Sequence, residues 1–204
     1  MVKDQKTVKG IPSSPGLAMG KAIVIQPEVF DFTPQTIDME NVPEEIDRFD
    51  SALQEVVMEF REILDKVRNK SKNVYAVLET NLMILTDIVF FDSVKAKISE
   101  GFSAEGAIIK EFDEQTKVLK NSGDLILRER AQELSQIKER LLAALRKRSM
   151  YISILPDTII VAQSLMPADV VKFKESGVKG FITETGGISS HSSILARSFE
   201  MPVV

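Results

Sequence analysis

The segment TETGGISSHSSILARSFEMP, residues 183–202, contains the only histidine in 204 residues, His191. Gly186 and Gly187 precede it, followed by Ser189 and Ser190. Paired glycines permit the tight backbone that leads from a strand into a helix. Either serine can cap a helix in whose first turn His191 lies. The first turn of a helix offers N–H groups with no intrahelical acceptor, together with the positive end of the dipole, which is a site for an anion. A neutral imidazole placed there can attack phosphorus as a nucleophile, and the N–H groups and serine hydroxyls can then hold the phosphoryl oxygens. The ordinary alternative is a histidine that simply packs or lies on the surface. Two other chemistries lack their patterns: there is no G-x-S-x-G elbow for a serine hydrolase, and neither G-x-G-x-x-G nor a P-loop accompanies the glycines.

The elements that must hold this turn alternate between strand and helix. Over residues 150–204, YISIL and DTIIVAQ read as strands, PADVVKFKES as a helix ended by Gly177, VKGFITE as a strand, HSSILARSF as a helix and MPVV as the start of another strand. Such alternation implies an α/β unit. KAIVI, residues 21–25, is a short β-branched run that can join the same sheet.

Between these parts the period is helical. Pro43, Glu44 and Glu45 suit a first turn. Ile46, Phe49, Leu53, Val56, Phe60, Ile63, Leu64 and Val67 then recur at threes and fours. A second helix is expected from about Val74 to Phe90, and a short third one capped by Asp92 or Ser93 before Gly101. A fourth, capped by Ser103, should stop near Asn121–Gly123. A fifth spans about 124–148, with basic residues Arg146, Lys147 and Arg148 at its negative end. The expected division is therefore an α/β domain made of 1–30 plus 150–204, with 31–149 inserted as a helical hairpin bundle. Ending at MPVV, in a strand, suggests a piece of a longer polypeptide.

Composition narrows the partners. Hydrophobic residues make up 44%, and net charge is −4 with a pI near 5.3, so no basic footprint points to nucleic acid or an anionic membrane. There is no cysteine, hence no disulfide or thiolate metal site. A zinc site would need carboxylates almost alone. The N-terminus has no signal-peptide pattern, and no stretch is expected to approach the ~20 apolar residues of a membrane span.

GGISSHSSILARSFEMPVV resembles the phosphohistidine signature Gly-Gly-x-x-Ser-His-x-x-Ile-x-Ala-Arg of the phosphoenolpyruvate-utilising enzymes. KGIPSSPGLAMGKAIVI, RERAQELSQIKERLL and VKGFITETGG narrow the resemblance to Enzyme I of the sugar phosphotransferase system, over nearly the whole chain. The resemblance implies a swivelling α/β phosphohistidine domain and an inserted helical subdomain that docks the small carrier HPr. It implies that His191 takes a phosphoryl group from phosphoenolpyruvate and passes it to a histidine of HPr. Gly186, Gly187, Ser189, Ser190 and Arg197 would support the turn or the phosphoryl group. For Arg197, six residues beyond His191, pairing with Glu200 or a carbonyl is the favoured role. Met83 and Asp87 on the second helix, and Arg130, would meet HPr, although Met83 could equally be core and Arg130 a solvated surface residue. Phosphoenolpyruvate and magnesium would bind a C-terminal barrel domain, with no metal held by these 204 residues. A cytoplasmic protein follows, dimeric at full length and monomeric in this piece.

Several positions depart from the family pattern. Lys72 and Asn73 stand where members carry acids, and Thr80-Asn81-Leu82-Met83 replaces a Gly-His-x-Met step. Losing acids weakens steering toward a basic carrier, so a carrier with a matching altered surface is expected. Val170 stands where many members have a threonine whose hydroxyl holds the resting histidine, and Ile188 replaces a frequent arginine. Two rivals remain open. One is a dikinase-type histidine domain, which lacks the Ser-Pro-Gly segment and helical insertion. The other is a regulatory paralogue or binding module in which phosphorylation of His191 is a signal.

Overall fold

The short, mostly β-branched run KAIVI needs partners to satisfy its backbone, and it finds them far along the chain. A computed structural model describes residues 7–25, 36–69, 72–122, 124–146, 155–188 and 190–204. Strand β1, Lys21–Ile25, pairs in parallel with β2, Thr158–Ala162, in the register Lys21↔Thr158. β2 pairs in parallel with β3, Gly180–Thr183, in the register Ile159↔Gly180. The MPVV tail extends this sheet through a parallel bridge from Phe181 to Val203, and Ser14 pairs antiparallel with the other side of Val203. Of the expected YISIL strand, residues 151–154 lie outside the described residues.

Residues 15–20 form a strap across the ends of the strands. Its Gly16 closely approaches Pro202, its Ala18 approaches Gly180 of β3, and its Gly20 approaches the Asp157 backbone. The strap alternates as extended backbone does: Ala18 turns inward, while Leu17 and Met19 are 90% and 83% exposed.

Helix α6, Pro167–Glu175, begins with proline in its first turn, and the Asp169 carboxylate accepts from the Met166 N–H at 2.9 Å. Gly177, at φ 77°, follows its end. α6 packs against α7, His191–Ser198. Ile160, Val171, Phe173, Phe181, Leu195 and Met201 are buried in this unit, with the Phe173 and Phe181 rings 5.7 Å apart.

The chain divides into two compact units. The first takes Met1–Glu28, Asn69–Val74 and Ser153–Val204, and the second takes Val29–Arg68 and Tyr75–Ile152. The second unit is helical. After a single 3₁₀ turn, Met39–Asn41, its elements are α1 (Val42–Val67), α2 (Lys72–Leu85, whose first residues fall in the other unit), α3 (Ile88–Ser99), α4 (Ala104–Asn121) and α5 (Leu125–Leu145). The α1 stripe, Phe49, Ala52, Val56, Phe60, Ile63, Leu64 and Val67, is buried along its whole length. Phe90 stands edge-on to Phe112 at 4.7 Å, and Phe91 lies 6.0 Å from Phe49.

Two sequence expectations fail here. The second helix does not run to Phe90. It stops at Leu85, and Asp87, not Asp92 or Ser93, caps α3 by accepting from the Phe90 N–H at 3.1 Å. The uninterrupted apolar period from Val74 to Phe90 hid a cap that competes successfully with helix continuation. In addition, Lys72–Ser99 is long and apolar enough, by length and composition alone, to cross a membrane. It is broken at Asp87, and Leu78, Leu85, Phe91, Val94 and Ile98 along it are buried.

Ion pairs tie the helices together. Arg48 of α1 donates to Glu45 at 2.7 Å and to Glu105 of α4 at 2.5 Å, while Glu45 also accepts from the Ala104 N–H at 2.6 Å. Arg140 of α5, 3% exposed, pairs with Glu59 of α1. The Arg48 hydrogen bond, helped by the Ala104 N–H and opposed by burial, holds the Glu45 carboxyl below its ordinary 4.5. A carboxyl depressed in the fold stabilises it above its unfolded value, and this contribution is lost as pH falls through the folded value. Burial raises the Glu111 carboxyl, but Lys97 and Gln115 together outweigh it, so its net shift is also downward. The melting temperature of the helical unit should therefore fall as pH drops from about 5 to 3, and Glu45→Gln should fall less steeply. Thermal melts followed by circular dichroism at each pH check this.

Candidate functional site

The site begins where β3 ends. Glu184 N–H donates to the Ala162 carbonyl at 3.1 Å, and Thr185 donates to the Gln163 carbonyl through both its N–H (2.9 Å) and its hydroxyl (3.0 Å). The loop thus stays zipped to the end of β2 before it turns. Gly186 then adopts φ 106°, a conformation costly for any residue with a Cβ. A Cβ on Gly187 would meet nothing within 4 Å. Of the paired glycines, the first is the one the turn's backbone demands. The turn closes with the Ser190 N–H donating to the Gly187 carbonyl at 3.0 Å.

Ser190 is the cap of α7, in extended geometry (φ −63°, ψ 147°), and its hydroxyl oxygen accepts from the Ser193 N–H at 3.3 Å. The Ser190 hydroxyl donates to the Ser193 hydroxyl at 2.8 Å, and Ser192 lies 3.3 Å from it. Ser193 is 4% exposed. Sequence reasoning missed Ser193 because it considered serines only ahead of the histidine. Its signal was the spacing of three from the cap, the usual reach of a capping bond. Ser189 lies outside the described residues.

His191 is the first residue of α7 and is half-buried. It therefore stands at the positive end of the helix, beyond the C-terminal end of a parallel strand, the region where open α/β sheets carry their ligands. Arg197, in the last turn of the same helix, donates through Nη2 to the Ile188 carbonyl. Val170, on the neighbouring α6, is 1% exposed and apolar, and it offers no hydroxyl to a ring nitrogen. Among the described residues no group of three or more histidine, aspartate or glutamate side chains is placed to hold a metal ion.

The expected partner-binding residues lie in the helical unit. Met83 is 68% exposed and is not core. It lies close in sequence to Ile88 and Val89, which are 75% and 78% exposed, across the break between α2 and α3. Asp87 is exposed, with its carboxylate engaged as the α3 cap. Arg130 pairs with Glu133 at 3.2 Å and is half-exposed. Lys72 and Asn73 are exposed at the start of α2.

Asn81 corrects the sequence reading. It was expected on an altered docking surface, but it is 1% exposed, on the same helical face as Val74, Leu78 and Leu85. Its Oδ1 has no hydrogen-bond partner. A buried, unpaired amide oxygen costs about 1–3 kcal/mol. Asn81→Leu should raise the stability of the helical unit by about 1 kcal/mol or more, read as a higher denaturant midpoint at unchanged slope.

Comparisons with known proteins show the family and the fold. Residues 9–130 match the family model for the PEP-utilising enzyme, N-terminal, and residues 154–204 match that for the PEP-utilising enzyme, mobile domain. The chain belongs to the PEP-utilising enzymes. Its relatives include the phosphoenolpyruvate-protein phosphotransferases of Haemophilus influenzae (32% identical over 203 residues), Mycoplasma genitalium (30% over 203) and Buchnera aphidicola (29% over 201). These alignments cover 97–98% of this chain and 35% of each relative. The chain thus spans about a third of the length of the curated relatives it matches. The solution structure of Enzyme I (nEIt) superposes with a TM-score of 0.76 at 31% identity, covering 97% of this chain and 82% of that one. The N-terminal domain of Enzyme 1 - Nitrogen shares the fold at a TM-score of 0.71 and 22% identity, covering 95% and 81%. The fold common to them is mostly helical with a small parallel sheet.

Proposed function

We propose that His191 accepts a phosphoryl group that originates from phosphoenolpyruvate and hands it to a histidine of the carrier HPr. The observation that carries this reading is the half-buried lone histidine at the first position of a serine-capped helix, inside the segment that matches the mobile-domain model. In the step, a ring-nitrogen lone pair forms the N–P bond as the bond from phosphorus to the donor breaks. The donor leaves with that electron pair, and the three phosphoryl oxygens pass across unchanged. Ser190 holds the helix end in place, so the imidazole meets phosphorus with little reorganisation.

On this reading the α/β unit, 1–30 plus 150–204, is the swivelling phosphohistidine domain, and 31–149 is the carrier-docking subdomain. Met83, Ile88 and Val89 give docking an apolar centre, with Arg130 and Asp87 as its polar surroundings. The enzyme works in the cytoplasm. Phosphoenolpyruvate and magnesium bind sequence that the threefold longer relatives have and these 204 residues do not. The chain on its own is a monomer, and the full-length enzyme is a dimer.

A second reading is favoured by one observation. Exposed Lys72 and Asn73 stand where the resemblance implies acids, which suits a carrier with a less basic face and a regulatory rather than transport role. Mixing the chain with phosphorylated HPr of the same source and following intact mass tests both. A gain of one acid-labile phosphoryl group supports transfer from HPr. No gain with HPr, but a gain with another carrier of that source, supports the regulatory reading.

A further inference from the structure

We infer that α2 is the yielding element of the helical unit: it opens on its own while α1, α3, α4 and α5 stay closed, and the buried amide of Asn81 lowers the cost of that opening. Within the unit α2 buries one seam, Leu78, Asn81 and Leu85. The middle residue of the three is polar, and its Oδ1 is buried without a hydrogen-bond partner. The charged groups buried in the same unit are matched: Glu111 accepts from Lys97, and Arg140 donates to Glu59. A matched pair regains part of what its burial costs. An unmatched oxygen is relieved only when it reaches water, and for Asn81 the way to water is the lifting of α2.

Ion pairs repeat the contrast. Lys95 ties α3 to Asp50 of α1, Lys97 ties it to Glu111 of α4, and Lys138 ties α5 to Asp113 of α4. α2 has two charged side chains, Lys72 and Glu79. Among the described residues neither pairs with another helix. The chain also breaks after α2, and the Asp87 carboxylate caps α3 by itself. Phe91 of α3 is packed against Phe49 and Phe112, so α2 can leave without drawing α3 after it. An element held by few buried apolar groups and no ion pair belongs at the low end of local stability. Met83 lies two residues past Asn81, on the opposite side of the helix at 3.6 residues per turn, and it is exposed. On the docking reading above, a carrier that meets Met83 grips a helix that can let go while the bundle stays folded. That consequence rests on the docking reading, and the opening itself does not.

Hydrogen exchange on the whole chain, read by mass spectrometry of its peptides at several low denaturant concentrations, tests this. In the wild type, α2 amides should exchange at least about 10-fold faster than those of α1, α4 and α5. Their exchange should also depend less on denaturant, because a local opening exposes less surface than global unfolding. Asn81→Leu, close in shape to asparagine, should slow α2 exchange by about 5- to 100-fold. Glu45→Gln loosens α1 from α4, where Glu45 meets Arg48 and the Ala104 N–H. It should speed exchange in α1 and α4 and leave α2 as it was. Wild-type α2 amides that match α1 in rate and denaturant slope overturn the inference, with no variant needed. So does an Asn81→Leu chain whose α2 exchange is that of the wild type, or a Glu45→Gln chain in which α2 accelerates in step with α1. Adding HPr tests the docking reading separately. Slower exchange in α2 supports docking there, and unchanged exchange counts against that reading while the donor-free comparison still decides whether α2 opens alone.

Discussion

Replacing His191 with alanine should leave a folded chain that accepts no phosphoryl group. The acceptor nitrogen is removed outright, and there is no second histidine or cysteine to substitute for it. Other nucleophiles in the site are serine hydroxyls. Ser190 is committed to Ser193, and Ser193 is buried. Without a neighbouring base, such hydroxyls are weak nucleophiles. The rate of adduct formation should fall by at least about 10³-fold, the scale seen when a nucleophile is lost and only binding remains. Stability should change little, because His191 is half-buried and the bonds that start α7 come from Ser190 and the main chain. A surface change of this kind is usually worth within about 0.5 kcal/mol. Intact mass and a thermal melt on the same samples decide the matter. An acid-labile adduct on the alanine variant would place the phosphoryl group elsewhere and end the proposal.

Gly20→Val should act in the opposite sense, destroying the α/β unit without touching the site. A Cβ at position 20 would lie 2.4 Å from the Asp157 carbonyl oxygen and 3.1 Å from its carbon. The obstacle is backbone, which cannot swing aside as a side chain can. The strap must lift, and it is followed directly by Lys21, the residue that sets the register of β1 on Thr158. A penalty above about 3 kcal/mol is expected, enough to unfold a unit this small. Hydrogen exchange should show β2 amides losing protection while α1 and α5 keep theirs. Met19→Ser, one residue away and pointing outward, is the control and should be near neutral. Retained β2 protection in Gly20→Val would show that the strap is not wedged as described.

Much of this was legible because period is a direct consequence of burial. The threes and fours of α1 and the β-branched run of Thr158–Ala162 could be read from the sequence, whereas which strand residues are buried and which half-buried could not. So could Ser103, whose hydroxyl accepts from the Gly106 N–H at 3.2 Å. What failed to show was competition between local signals. Asp87 lies inside an apolar period, and only the tertiary fold decides that its capping bond wins. The family step Gly-His-x-Met puts Asn81 on a docking surface, although its spacing from Leu78 and Leu85 puts it inside. The reach of Arg197 to Ile188 could not be read at all, since nine residues is no helical neighbour distance. The pairing of Gly20 with Asp157 is equally remote, and a glycine in an extended run says only that something approaches closely.

The parallel pairing of β1 with β2 also has a consequence in time. Lys21 leaves the ribosome early, but its partner Thr158 follows only after all five long helices have been made. Helices whose contacts are between neighbours in sequence can close as they emerge. The sheet must wait for a loop of more than a hundred residues to close, and such distant pairings form slowly. During synthesis the first strand therefore spends its time unpaired and exposed. The turn that carries His191 takes shape only after the sequence of the helical unit has been made.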